Sequence, residues 1–78
     1  MIWNVKKVEE SEKRIMVGFS KNSLFDGLIE FDKKDEQFEI VSLAKDCDEF
    51  EAGRLFQFLY TLIYQNTLSF EPYSIRNG

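Results

Sequence analysis

One segment constrains the fold more than any other: from Glu49 to Gln65, apolar side chains recur at the spacing of an α-helix. The apolar residues fall on one arc of the helical projection, roughly 160° wide: Ala52, Leu55, Phe56, Phe58, Leu59, Leu62 and Ile63. The opposite side of the projection is polar, with Arg54, Gln57, Thr61 and Gln65. A helix with one broad apolar arc has to bury it against another layer of structure.

The sequence also predicts where this helix begins and ends. Asp48 and Glu51 have the spacing of a capping box, with Asp in place of Ser or Thr. Cys47 and Ala52 occupy the two positions of a hydrophobic staple. Asn66 suits the left-handed conformation that often ends a helix. We therefore predict a helix that starts at Glu49 and stops before Asn66.

The layer that covers the helix is predicted to be a β-sheet. Apolar and polar residues alternate upstream of the helix, as in Ile15, Val17 and Phe19, which would share one face of a strand. Short polar connections between such segments favour antiparallel neighbours. We predict one α+β domain over residues 1–78: a four-stranded antiparallel β-meander with one C-terminal amphipathic helix packed on one face. The four strands are expected at residues 2–8, 14–19, 28–31 and 38–44.

The residues after the helix are harder to assign. We predict a short irregular C-terminal tail over residues 67–78. Its apolar residues leave open a second interpretation, in which part of the tail packs down as a short edge strand: Leu68, Phe70, Tyr73 and Ile75. Pro72 excludes a central position in the sheet, because proline cannot donate a backbone hydrogen bond.

Composition indicates which cellular compartment and which class of partner to expect. The net charge is −4, and the Lys and Arg residues are mostly interspersed with Asp and Glu, which does not favour a nucleic-acid partner. The single cysteine, Cys47, cannot form an intramolecular disulfide, which argues against a secreted scaffold. The longest apolar-rich run is far shorter than the ~20 residues of a membrane span. We therefore expect a cytoplasmic protein without a membrane partner.

The residues that usually carry catalysis are scarce. The chain has no histidine, so the commonest general base and metal ligand is missing, and its four glycines do not form a phosphate-binding loop. We predict a protein that is not an enzyme, with no catalytic, cofactor-binding or metal-binding residues and no cofactor. Two features allow alternative interpretations. Cys47 fits either a structural or a reactive role. An acidic cluster fits either helix capping or binding of a divalent cation: Asp46, Asp48, Glu49 and Glu51.

A row of aromatic residues on the helix gives the one positive indication of function. Phe56, Tyr60 and Tyr64 are spaced by four and stack along one edge of the helix, next to Gly53. This row, with Trp3 on the first strand, forms either the margin of the core or a surface for a partner. We therefore predict a small acidic protein–protein interaction module: an adaptor, an inhibitor or a self-associating protein that forms a homodimer.

Two other functions remain as alternatives. A single-stranded nucleic-acid binder would stack bases on exposed aromatic residues of the strands. An enzyme that uses carboxylates alone would need a divalent metal at the acidic cluster and carboxyl groups with separated pKa values.

Overall fold

A computed structural model of the chain describes residues 2–76. In chain order, its elements are β1 (Ile2–Glu10), β2 (Arg14–Ser20), β3 (Gly27–Asp32), β4 (Gln37–Ser42), α1 (Glu49–Tyr64) and β5 (Tyr73–Arg76). The predicted α+β class is confirmed, and each predicted strand overlaps an observed one. The last two residues of the predicted tail lie outside the described residues.

The sheet has five strands in the order β4-β3-β2-β1-β5, and every neighbouring pair is antiparallel. The predicted count of four strands was therefore wrong, and so was a wholly irregular tail; the second interpretation, a short edge strand within the tail, is confirmed. After the helix the chain returns to the free side of β1, where Trp3 pairs with Ile75 and Val5 with Tyr73. Burial of Ile75 against the core gives this four-residue segment a reason to be ordered.

The register places the large apolar side chains of the sheet on the face that the helix covers. Val17 pairs with Ile29, and Ile29 pairs with Ile40, so these three side chains lie side by side across the sheet. One cluster of buried side chains forms the core between sheet and helix, and its largest fully buried members include Trp3, Phe19, Ile29, Leu55 and Leu59. Burial of such side chains supplies most of the stability available to a chain of this length.

Both predicted helix ends are confirmed. At the N-terminus, the Glu51 N–H donates to Asp48 Oδ1 at 2.8 Å, and the Asp48 N–H donates to Glu51 Oε1 at 3.3 Å. At the C-terminus, Asn66 has a positive φ of 55°. The Asn66 N–H donates to the Ile63 carbonyl at 3.1 Å, and the next N–H along the chain donates to the Leu62 carbonyl at 2.8 Å. This pair of bonds is a Schellman motif, which satisfies carbonyls that the helix leaves free.

Candidate functional site

Two of the three residues in the predicted aromatic row, Phe56 and Tyr60, pack against the sheet. Phe56 stacks on Phe38 of β4 with ring centroids 5.1 Å apart, and Tyr60 meets the same ring edge-on at 4.6 Å. The Tyr60 hydroxyl donates to the backbone carbonyl of Glu36 at 2.6 Å. Both rings are half-buried, so they attach the helix to the β4 side of the sheet.

Tyr64 is the member of the row that faces solvent. Its side chain is 66% exposed, although its ring stacks on Tyr60 with centroids 6.3 Å apart. The Tyr64 hydroxyl donates to Glu36 Oε1 at 3.4 Å. The negative charge of Glu36 raises the pKa of the Tyr64 phenol, because a phenolate there would be repelled. Tyr64 therefore presents an uncharged aromatic ring to solvent, and its contacts with Tyr60 and Glu36 set its position.

Trp3 does not belong to any exposed surface. It is 1% exposed, pairs with Ile75 of β5 and lies in the main core cluster. The Lys21 ammonium group is 5.9 Å from the centroid of its ring. Of the two sequence-based interpretations of Trp3, the structure supports a position in the core, because β5 and the helix cover the strand that carries it.

The exposed side of the helix carries a second regular pattern, which we call the outer stripe: Phe50, Gly53, Gln57, Tyr60 and Tyr64. Its members are spaced by three and four residues in turn, so they lie in line along the helix. Phe50 is 74% exposed. A Cβ atom at Gly53 would meet nothing within 4 Å, so the fold leaves open space over this position.

Gly53 lowers the stability of the helix, and no contact within the described residues accounts for a glycine at this position. Glycine in a helix interior destabilises it by about 1 kcal/mol relative to alanine. The space above Gly53 would accept a larger side chain, so no contact within the described residues requires glycine there. Gly53 is exposed, so the helix backbone is accessible on its outer face at this position.

Two members of this stripe are not apparent from the apolar arc of the sequence. Phe50 lies outside the arc that packs on the sheet, and Gln57 belongs to its polar side. The alternating spacing of three and four residues from Phe50 to Tyr64 was the signal that would have found them.

The acidic cluster at the start of the helix is occupied by contacts within the chain. Asp46 accepts the backbone N–H of Lys21 at 3.2 Å and that of Asn22 at 3.0 Å. Asp48 and Glu51 form the capping box, and Glu51 also pairs with the Lys21 ammonium group. Within residues 2–76, no group of three or more His, Cys, Asp or Glu side chains could hold a metal ion. These contacts support the capping interpretation of the cluster.

Cys47 lies at the staple position and is half-buried against the core. Burial raises the pKa of its thiol to about 12, and the hydrogen bond that the thiol donates to Asp46 adds to the effect. The thiol is therefore protonated near neutral pH, whereas a nucleophilic or metal-ligating cysteine needs the thiolate. This environment fits the structural role rather than the reactive one.

A cleft of about 260 Å³ opens beside the C-terminal end of the helix. Its lining includes Lys7, Glu10 and Lys33 together with apolar and aromatic side chains. The Lys7 ammonium group donates to Glu10 Oε1 at 2.6 Å, and that of Lys33 donates to Oε2 at 2.8 Å. The Glu10 carboxylate accepts hydrogen bonds from both ammonium groups, so this network connects β1 to the β3–β4 turn. We therefore assign it a structural role.

No protein family model, curated protein or solved structure matches this chain. Among residues 2–76, no helix has the length and apolar character needed to cross a membrane. Assignment of a function therefore depends on the chemistry of the surfaces just described. Of these surfaces, the outer stripe holds the two most exposed aromatic side chains of the described residues, Phe50 and Tyr64.

Proposed function

We propose that this chain is a non-catalytic protein-interaction module that binds a protein partner through the outer stripe of its helix. The observation that carries this proposal is the exposure of Phe50 and Tyr64 on either side of Gly53. Tyrosine and other aromatic side chains dominate interface energetics, because they bury a large area with few rotatable bonds.

The rigidity of the helix supports the same proposal. Its N-terminus is held by the capping box and its C-terminus by the Schellman motif. The bond from Tyr60 to the Glu36 carbonyl fixes the helix against the β4 side of the sheet. A surface that is already ordered loses less conformational entropy when it binds, so a small contact area supplies more affinity.

The chemistry of the polar groups supports a role without catalysis. The Cys47 thiol is protonated near neutral pH, and the carboxylates of Asp46, Asp48 and Glu51 accept hydrogen bonds or pair with Lys21. The lone cysteine suits a reducing compartment, so we place this function in the cytoplasm.

The alternative of single-stranded nucleic-acid binding is less well supported. Three of the strand aromatics, Trp3, Phe19 and Phe31, are buried in the core, and among the strands of the described residues Tyr73 of β5 is the one aromatic side chain that is exposed. The net charge of −4 also opposes binding to phosphates. Neither observation favours this function over protein binding.

Capture of partners by the tagged protein tests the proposal. We expect wild-type protein to retain a protein partner from a lysate of its own cells, and the double variant Phe50→Ser/Tyr64→Ser to lose it. Both side chains are mainly exposed, so unfolding free energies should stay within about 1 kcal/mol of wild type. Phe70→Ser is the matched control, because Phe70 is a similarly exposed aromatic residue off the helix. Equal capture by the double variant would refute the assignment of this surface.

A further inference from the structure

The cleft beside the C-terminal end of the helix is framed by parts of the chain that are bonded to one another. The hydrogen bond from Lys33 to Glu10 joins the β3–β4 turn to β1, and the bond from Tyr64 to Glu36 joins the helix to the same turn. The Lys7 backbone N–H donates to the Ser69 carbonyl at 2.7 Å, which joins β1 to the segment after the helix. The frame of the cleft is therefore ordered before any ligand binds, which reduces the entropy lost on binding.

The inner end of the cleft is apolar. Three of its lining residues are almost fully buried, namely Ile15, Phe31 and Leu68. The side chains of Glu10 and Lys33 stay 35% and 31% exposed, so these charges lie nearer to solvent. A cavity of about 150 Å³ with an apolar lining holds a benzene ring. At about 260 Å³, this cleft has room for one branched or aromatic side chain and a small polar head.

The charges that line the cleft are equal in number but are not all paired. The ammonium groups of Lys7 and Lys33 share the carboxylate of Glu10, so these three residues carry one excess positive charge. An ammonium group has three N–H donors, and within the described residues each of these two donates one hydrogen bond. The carboxylate of Glu36 accepts the 3.4 Å bond from Tyr64 and forms no salt bridge among residues 2–76. The lining thus presents one excess positive charge and one unpaired negative charge.

We propose that this cleft binds a free α-amino acid with an apolar side chain, such as leucine or phenylalanine. The ligand carboxylate accepts hydrogen bonds from Lys7 and Lys33, its ammonium group donates to Glu36, and its side chain occupies the apolar inner end. A carboxylic acid alone leaves Glu36 unpaired, and an amine alone leaves the excess positive charge unpaired. The inference goes beyond the proposed function and does not depend on it, although Tyr64 belongs to both the cleft and the outer stripe.

Titration of ¹⁵N-labelled protein with L-phenylalanine, followed by NMR, tests the site. We expect saturable shifts of the backbone amide signals of Lys33 and Leu68, with a dissociation constant of roughly 10 μM to 1 mM. Hydrocinnamate lacks the ammonium group and phenethylamine lacks the carboxylate, but both keep the aromatic ring. Each should bind at least about tenfold more weakly, because one charge of the cleft then stays unpaired.

Two substitutions in the β3–β4 turn test the assigned contacts. Lys33→Gln and Glu36→Gln should each raise the dissociation constant for L-phenylalanine by about tenfold. Glu36→Gln should also bind hydrocinnamate more tightly than wild type does, because no carboxylate remains there to repel the acid. A merely structural role of Glu36 predicts no such gain. Lys34→Gln and Asp35→Asn are the matched controls, since both residues are exposed in the same turn and outside the lining, and both should bind like wild type.

Two results would overturn the inference. One is the absence of saturable shifts with L-phenylalanine and L-leucine, and the other is equal binding of L-phenylalanine by wild type and Glu36→Gln. Hydrocinnamate that binds wild type as tightly as L-phenylalanine would likewise exclude an amino acid as the ligand. Phe50 lies outside the lining, so Phe50→Ser should bind L-phenylalanine like wild type whether or not it captures a protein partner. Failure of this inference is therefore distinguishable from failure of the proposed function.

Discussion

Gly27 begins strand β3 directly opposite Phe19, at a point where the chain has no room for a side chain. A Cβ atom at Gly27 would lie 2.5 Å from Phe19 Cε1 and 2.8 Å from the backbone nitrogen of Ala44. Phe19 is fully buried, and a backbone atom cannot move without displacing its strand or loop. This constraint cannot be predicted from the sequence, because a linear pattern does not show what lies across the sheet.

Gly27→Ala should therefore destabilise the fold. We expect the free energy of unfolding to fall by about 2–3 kcal/mol, the cost of forcing extra volume into a packed site. Urea denaturation followed by circular dichroism measures the change. Gly53→Ala is the opposite case, because its space is open and alanine favours a helix, so it should raise the free energy of unfolding by up to about 1 kcal/mol. Equal stability of the two variants would contradict the packing at Gly27.

At the scale of the elements, the helix ends through a single left-handed residue. Asn66 holds a φ of 55°, which glycine adopts freely and residues with a branched or apolar Cβ adopt at a cost. Its N–H and the following N–H satisfy the Ile63 and Leu62 carbonyls. The side chain of Asn66 is exposed, so a change there tests the backbone and little else.

Substitutions at Asn66 should shift stability in opposite directions. Asn66→Gly is expected to raise the free energy of unfolding by about 0.5 kcal/mol, and Asn66→Ala to lower it by about 1 kcal/mol. Thermal denaturation of both variants beside wild type gives the comparison. Gln65→Ala, at the preceding exposed residue, controls for the loss of a polar side chain. An alanine variant as stable as the glycine variant would argue against the left-handed cap.

The elements differ in how far the sequence predicts them. The helix was predictable to its ends, since its capping box and its terminal Asn66 are formed by residues close together in the chain. Strand β5 was predictable only as one of two interpretations, because it exists through pairing of Ile75 with Trp3, far away along the sequence. Separation along the sequence also limits prediction of the candidate site. Tyr60 and Tyr64 were found from their spacing within the helix. Their contacts with Glu36 depend on a turn whose position the sequence predicts only roughly.

At the scale of the whole molecule, two carboxylates join parts of the chain that are distant in sequence. Hydrogen bonds from Lys33 and Lys7 lower the pKa of the Glu10 carboxyl, because they favour its ionised form. Burial by itself would raise the pKa of Asp46, but the hydrogen bonds it accepts, chiefly from Lys21, outweigh that effect and lower it. Glu10 connects β1 to the β3–β4 turn, and Asp46 connects the β2–β3 loop to the start of the helix.

These two groups predict how stability depends on pH. A carboxyl whose pKa is lower in the folded state stabilises the fold fully above its unfolded-state pKa, about 3.9 for Asp and 4.3 for Glu, and this contribution is lost as the pH falls through the folded-state value. Urea denaturation at a series of pH values should show a nearly constant free energy of unfolding down to about pH 5 and a fall below about pH 4. Glu10→Gln/Asp46→Asn should be less stable at pH 7 and should lose less on acidification, because groups that cannot ionise have no contribution to lose. Glu12→Gln, an exposed carboxylate between β1 and β2, should follow the wild-type curve. An acid limb as steep in the double variant as in wild type would show that other groups couple this fold to protons.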